Sequence, residues 1–507
     1  MPKFDYIVVG AGSAGCVLAS RLSEDPARTV ALLEAGGEDD SPHVSAPADW
    51  PLLWNRAENW AYLTTLQSGF GLRAIPYPRG KVLGGSGSIN VMIYVRGDPK
   101  DFDHWRDLGN EGWGWDDVLP YFRKLEDHPA GPSDLHGRGG PQCVASQDAP
   151  HARSRAFIDA AAQCGHVPIA DFNGPTRLGS GLWQLTTRDG VRHSTSQAYL
   201  APARGRPNLR VYTRAHALRL LLSGDRVDGV EYFDGTQVSR IFAEGEVVLA
   251  AGAIDTPKLL MLSGIGDPVQ LERHGIAVRH ALPGVGANLH DHAATPLVLA
   301  PSAPAKMQSW TVHAEAGLFM RSALADDDFQ ADIQMFFLPL APPSAALAGG
   351  PAAMVLNVQP CRPKSRGKLT LRSSNPLDPP VIDPGYLTDR HDVALHIAGL
   401  RAAREIAAAE PLRSLVAQEL SPGPAAAADG ALERVVRATA GCTWHPVGTC
   451  RMGRDPDAVV DDELRVRGMQ ALRIADGSIM PQITSGNTNA PIIMIGERAA
   501  DKMRRAA

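Results

Sequence analysis

The first 36 residues constrain the chain more than any other stretch. Tyr6–Val9 is a short apolar, β-branched run, the pattern of a buried parallel strand. Gly10, Gly12 and Gly15 follow at G-x-G-x-x-G spacing, directly before a helical stretch, Cys16–Leu22. A second apolar strand, Thr29–Leu33, ends in Glu34. Gly10 permits a tight turn, Gly12 lets backbone approach a pyrophosphate, and Gly15 lets helix and strand pack closely. The phosphates then sit at a helix N-terminus, and an acid about 20 residues on can bind ribose hydroxyls. Strand, helix, second strand and terminal acid agree, so the segment predicts a dinucleotide site rather than a Gly-rich turn. FAD and NAD are not separated by the motif.

A second glycine-dense stretch, Pro78–Asn90, precedes Val91–Gly97. So many small residues cannot build a core, but they let backbone pass within contact distance of a flat ligand. With 507 residues the chain exceeds one ordinary core, and two or three domains are expected. A net charge of −5 favours neither nucleic acid nor an anionic membrane as partner. No stretch approaches the length of a spanning helix, and the first strand begins too early to leave room for a signal peptide. The cysteines at 16, 143, 164, 361, 442 and 450 lack metal-ligand or paired spacing, which reads as reduced thiols in a cytoplasmic enzyme with no metal.

In chain order, Pro47–Gly71 reads as an irregular surface excursion rich in Trp and Pro. Asp116–Gly140 is an amphipathic helix running into a Gly/Pro loop, and Arg155–Cys164 is helical. Asn208–Thr213, Ala217–Leu222, Val227–Phe233 and Glu246–Gly252 are strand-like, the last running into a helix over Thr256–Ser263. Gln330–Leu340, Met354–Val358 and Lys368–Arg372 are expected in a second, antiparallel sheet, with a mobile loop at Ala341–Gly350 and a helix over Ala394–Ala409. A strand, a polar turn and a closing helix end the chain.

Separated stretches together resemble the glucose–methanol–choline (GMC) family of FAD-dependent alcohol oxidoreductases. They are the N-terminal fingerprint with Glu34, Gly80–Asn90 through Gly97, Gly252–Gly266, Pro283–His292, and His445–Gly453 with Asp476–Pro481 and Gly486–Pro491. Within the family the spacing is most like bacterial alcohol and choline dehydrogenases. The resemblance implies an α/β fold, with a Rossmann-like FAD-binding domain and a second α+β substrate domain built on an antiparallel sheet. The FAD domain is expected over 1–140, 207–292 and 438–507, and the substrate domain over 141–206 and 293–437. It also implies a set of FAD-binding positions. These are Gly10, Gly12, Ser13, Ala14, Gly15, Glu34, Ala35, Gly80, Val82, Gly84, Gly85, Ser86, Gly87, Asn90, Val91 and Met92, then Ala217, Ala251, Gly252, Asp476, Gly477, Asn487, Asn489 and Ala490. Ala217 would lie near the adenine, Gly84–Asn90 against the isoalloxazine, and Asp476 and Gly477 along the ribityl–phosphate. Some members attach FAD through a His just before Asn90. Here that residue is Ile89, so non-covalent FAD is expected.

Oxidising an alcohol with a flavin requires the hydroxyl proton to leave as hydride departs from carbon. A histidine suits that step, because its pKa lies near working pH. The resemblance gives the role of base to His445, and that of second hydrogen-bond partner to Asn489, which also reads as a helix N-cap. His193, His290 and His292 are expected to hold loops. Glu315 matches a substrate-pocket position that can face the ammonium group in choline-oxidising members. The preceding His313 and Ala314 offer no aromatic cage for a quaternary cation. The expected activity is therefore oxidation of a primary, neutral alcohol to the aldehyde by hydride transfer to flavin N5. Electrons would pass to a quinone, a redox protein or another acceptor. An oxidase giving hydrogen peroxide from O2, a choline dehydrogenase and a redox-neutral hydroxynitrile lyase are the alternatives. Peripheral membrane contact and oligomeric state stay open.

Overall fold

The computed structural model describes residues 2–305, 312–325, 328–342 and 350–506. Two seven-stranded sheets organise them. In the first, Leu209–Tyr212, Val30–Leu33, Lys3–Val9 and Val238–Leu249 lie side by side and parallel, with Tyr6 opposite Val30 and Val9 opposite Leu249. Lys3–Val9 and Val30–Leu33 are apolar where both faces are covered, Ile7, Val8, Val30 and Leu32 being wholly buried, whereas Leu209–Tyr212 exposes Arg210. The long strand Val238–Leu249 changes partner along its length. Its first half pairs antiparallel with Arg226–Phe233, which turns back into His216–Ser223, and its end pairs parallel with Leu472–Ile474. The C-terminal segment thus returns to the sheet that the N-terminus began.

The second sheet is antiparallel throughout, in the order Val416–Ser421, Ala293–Pro301, Met354–Pro360, Ile333–Leu338, Ala316–Met320, Gly179–Leu182. Gly441–Cys442 adds to Ala293–Ala294 and carries the chain from this sheet towards His445. The helix Arg390–Ala408 lies on one face so closely that a Cβ on Gly399 would come within 2.2 Å of Val358 Cγ1.

Several expectations are corrected. Lys368–Thr370 does not join the second sheet; it pairs with Val381–Asp383 as a separate ribbon. Its partner is the next extended segment, reached through a turn in which Ser373 Oγ donates to Asp378. Residues 47–71 are not a surface excursion. Pro47–Asn55 forms a 3₁₀ helix that buries Trp50 and Leu53, and Tyr62 and Phe70 are buried beyond it. Four strands of the second sheet carry no clear alternation in sequence. Glycines in Gly179–Leu182 and Ala316–Met320 admit close neighbours: a Cβ on Gly317 would be 1.8 Å from Trp183 Cζ2, and one on Gly181 would be 2.3 Å from Ile169 O. Of the loop expected at Ala341–Gly350, residues 343–349 lie outside the described residues.

Candidate active site

Two cavities meet at the C-terminal ends of the first sheet's parallel strands, where the topology of such sheets leaves a crevice. The first, about 150 Å³, is lined by Gly10, Gly12, Ser13, Ala14, Glu34, Ala35, Gly80, Gly85, Ser86, Ala217, Ala251, Gly252, Asp476 and Gly477. Its shape follows from the glycines. At Gly10 (φ +98°) a Cβ would stand 2.7 Å from Ala250 O, and on Gly15 it would stand 1.8 Å from Gly10 O. The helix Ser13–Leu22 starts at Gly12 with no side chain capping it and no acid in its first turn, leaving N–H groups for an anion. Gly85 packs the second glycine stretch onto the first; a Cβ there would be 2.6 Å from the Cα of Gly12.

Glu34 is buried, and its oxygens accept from Ala11 N (2.9 Å) and Gly36 N (2.8 Å). Burial pushes its pKa up to about 7 against those two donors. Asp476 has its oxygens taken by Gly252 N, Thr256 Oγ1 and Ser478 N, so it ties the cavity wall together as well as lining it. Gly15, Val82, Gly84, Gly87 and Ala490 line neither cavity. They lie behind the walls: Gly84 N, for example, donates to Ala11 O at 2.8 Å.

The second cavity, about 350 Å³, shares Ser13, Arg79, Ser86 and Ile492 with the first. Asn90, Val91 and Met92 form one side, with Ile89 beside them, and His445, Asn487 and Asn489 line it as well. Trp50, Trp54 and Trp444 form an aromatic wall, with ring centroids 4.5 to 6.2 Å apart. Phe336, Leu338 and Val355 of the second sheet line it too. Among its described lining residues none is Asp or Glu.

His445 is held on every side. Its backbone N–H donates to Asp291 Oδ1 at 2.6 Å, and the other oxygen of that buried carboxylate accepts from Tyr77 and Tyr386. His445 Nδ1 lies 3.0 Å from His292 Nδ1, and His292 Nε2 lies 2.7 Å from Cys361 O. A carbonyl can only accept, so the His292 proton sits on Nε2 and its Nδ1 is a lone pair. His445 must then carry its own proton on Nδ1, leaving Nε2 as an acceptor on the far side of the ring. Burial drives both imidazoles towards the neutral form. His292 is lowered to about 4, and His445, beside His292 and the Arg79 guanidinium, well below the ordinary histidine value.

The residue beside His445 Nε2 is Asn487, whose Nδ2 lies 3.3 Å away. This corrects the pairing with Asn489. Asn489 lines the cavity, but it begins the closing helix Asn489–Ala506 and its Oδ1 accepts from Ser13 Oγ at 2.7 Å. The two asparagines are only two positions apart, and the turn before the helix decides which one faces the histidine. Glu315 is also corrected as a substrate residue. It is fully buried away from the cavity, its Oε2 accepting from His151 N and Ser154 Oγ at the start of the helix Ala152–Gln163; Ala314 lines the cavity instead. His193 and His290 do hold loops, accepting from Cys143 N and Ile483 N. His292 does more, since it fixes the His445 tautomer. The tryptophan wall also escaped the sequence reading, although Trp50 and Trp54 at i, i+4 and Trp444 next to His445 were visible as spacing.

A parallel sheet with a glycine-rich nucleotide cradle, opening into an apolar chamber with a neutral histidine, defines a dinucleotide-dependent oxidoreductase. The chain belongs to the GMC oxidoreductase family, whose N-terminal and C-terminal models match residues 4–294 and 363–496. It is 40% identical to an alcohol dehydrogenase [acceptor] of Pseudomonas putida, over 98% of this chain and 95% of the relative. It is 41% identical to human mitochondrial choline dehydrogenase, over 98% and 89%. The crystal structure of a pyridoxine 4-oxidase from Mesorbium loti superposes with a TM-score of 0.95 at 35% identity, covering 99% of each chain. The cofactor is FAD, and the two cavities fit it. The uncapped helix and glycine cradle suit the pyrophosphate, Glu34 the ribose, and Ser86 with Ile89–Met92 the side of a flat ring.

The Glu34→Ala protein is expected to hold FAD about 10- to 100-fold more weakly, the value of one lost charge-assisted hydrogen bond of about 1.5–3 kcal/mol. Flavin retention after dialysis measures it, and unchanged retention would contradict the ribose contact.

Proposed function

We propose that this protein oxidises a neutral primary alcohol, aromatic or of medium chain length, to the aldehyde, with His445 as base. The observation that carries the substrate class is the wall of the second cavity: three tryptophans and aliphatic side chains, the cation Arg79, and no carboxylate among the described lining residues. A quaternary ammonium substrate gains from aromatic faces, but Arg79 opposes it and no anion answers its charge. The expectation against choline drew on a missing aromatic cage. The rings are in fact present, and it is the missing carboxylate that supports the reading.

FAD supplies the hydride acceptor. The chain's own residues handle the oxygen. An alcohol hydroxyl entering between His445 Nε2 and Asn487 Nδ2 donates its proton to the first and accepts from the second. The fixed tautomer keeps the Nε2 lone pair available, and the tryptophan wall keeps water away from the developing alkoxide. Asp291 and His292 hold the ring so that no reorganisation is needed. Dehydrogenase rather than oxidase behaviour, with a quinone or other acceptor, is supported by the similarity to the acceptor-dependent alcohol dehydrogenase. We also propose that the FAD domain comprises 1–140, 207–292 and 438–507, with 141–206 and 293–437 forming the substrate domain.

Anaerobic mixing of the holoenzyme with benzyl alcohol, hexanol and choline tests the substrate class. The first two are expected to bleach the flavin at far lower concentration than choline. A clear preference for choline would overturn the reading. Readmitting O2 or a soluble quinone to the bleached protein then separates oxidase from dehydrogenase.

A further inference from the structure

Two wholly buried glutamines of the second sheet lie outside the cavity wall and yet reach its chemistry. Gln334 and Gln359 stand opposite each other on the strands Ile333–Leu338 and Met354–Pro360. Their neighbours Ile333, Met335 and Val358 are apolar and buried, so the amides need partners in the interior; Gln334 is bonded at both ends, Gln359 through Nε2 alone. Gln359 Nε2 lies 2.8 Å from Gln334 Oε1, and Gln334 Nε2 lies 3.3 Å from Asn487 Oδ1.

The oxygen and nitrogen of an amide are alike in shape, so the partners decide which way it points. At the far end the Cys361 carbonyl fixes the His292 proton on Nε2 and leaves His445 Nε2 as an acceptor. Asn487 must therefore present Nδ2 to His445 and Oδ1 to Gln334. Gln334 in turn donates through Nε2 and accepts from Gln359 through Oε1. Every bond from Gln359 to Cys361 O runs in one sense, and the chain begins and ends within three residues of one strand end. An inverted Asn487 amide would set its carbonyl against the His445 lone pair and its N–H groups against those of Gln334.

We infer that Gln334, steadied by Gln359, is a positioning residue that locks the Asn487 amide with its N–H groups facing the alcohol oxygen. The inference rests on the alcohol-oxidation reading above. The physical need is plain: a donor at that position stabilises the developing alkoxide, whereas a carbonyl there repels it. Because Gln334 belongs to the second sheet and Asn487 precedes the closing helix, the lock also ties the substrate side of the cavity to the histidine side.

The test is flavin reduction by benzyl alcohol in rapid mixing, using holoenzyme carrying Gln334→Met or Gln334→Glu, each in the native and the Asn487→Ala background. In the native background Gln334→Met is expected to lower the saturating rate about 10- to 100-fold, with the apparent alcohol affinity changed less than about threefold. Gln334→Glu is expected to lose more, since an ionised carboxylate can only accept and turns the Asn487 amide around. With Asn487→Ala in place, either substitution is expected to change the rate by less than about twofold, because nothing remains to be positioned. Flavin content and melting temperature report folding; if the buried glutamate prevents it, Gln334→Met and Gln359→Met carry the cycle. Equal losses in the two backgrounds, or a native rate in Gln334→Met, would overturn the inference. If no alcohol bleaches the native protein, the alcohol-oxidation reading fails and takes the inference with it; native bleaching with additive losses removes the inference alone.

Discussion

His445→Ala protein is expected to reduce its flavin about 10²- to 10⁴-fold more slowly than the native protein at saturating alcohol, the usual value of a general base. FAD should remain bound, because the cradle at Gly10–Gly15 and Glu34 lies in the other cavity. The pH profile carries a second expectation. Burial, His292 and Arg79 all hold His445 neutral, so its folded-state pKa lies well below the ordinary histidine value of 6.5. The base form should therefore survive as pH falls below that value, and flavin reduction should stay flat through the neutral range, declining only on further acidification. His292→Leu removes the nearer of the two acceptors, His292 Nδ1 and Thr443 Oγ1, that keep the His445 proton on Nδ1, and should cut the flat rate at every pH. Stopped-flow reduction between pH 5 and 9 measures both effects. A native reduction rate in His445→Ala would remove the base, and with it the mechanism.

The parts of the molecule legible in sequence were those whose chemistry is local. The turn at Gly10, the close packing at Gly15 and the acid at Glu34 all lie within one βαβ unit, where spacing determines geometry. The central parallel strands were legible for the same reason: Tyr6–Val9 and Val30–Leu33 are buried on both faces, and each reads as an unbroken apolar run. The second sheet was harder. The glycines of Gly179–Leu182 and Ala316–Met320 answer close approaches by Val167 O, Ile169 O and the Trp183 ring, contacts that no strand pattern announces. The Pro47–Asn55 helix looked like loop because Pro and Trp dominate it. Its two tryptophans become meaningful only once Trp444, almost four hundred residues later, packs against them. His292 was misread likewise. Its role depends on a carbonyl at Cys361 and a ring at His445, and neither is near it in the chain.

The choice between the asparagines is the sharpest case, and it gives the second large effect. Asn487→Ala is expected to slow flavin reduction about 10²- to 10³-fold, because it removes the donor that meets the oxygen as negative charge develops there. Asn489→Ala is expected to leave the reduction rate within about threefold; its Oδ1 is engaged with Ser13 Oγ, and the loss of one neutral hydrogen bond is worth about 1 kcal/mol. That cost should appear instead as weaker FAD retention, since Ser13 lines both cavities at the uncapped start of the helix Ser13–Leu22. Asp at the two positions separates them further. Asn487→Asp sets a carboxylate against the His445 lone pair and the forming alkoxide, which repels the latter and raises the histidine's pKa. The reduction rate should fall, and its acid limb should move up towards neutrality. Asn489→Asp can still accept from Ser13, and the first turn of a helix favours an acid, so its acid limb should stay where the native protein has it. Measuring the rate and its pH dependence in all four variants decides the matter. If the Asn489 pair shows the large loss and the shifted limb while the Asn487 pair does not, the partner of His445 is Asn489, and the hydrogen-bond chain through Gln334 has no catalytic consequence.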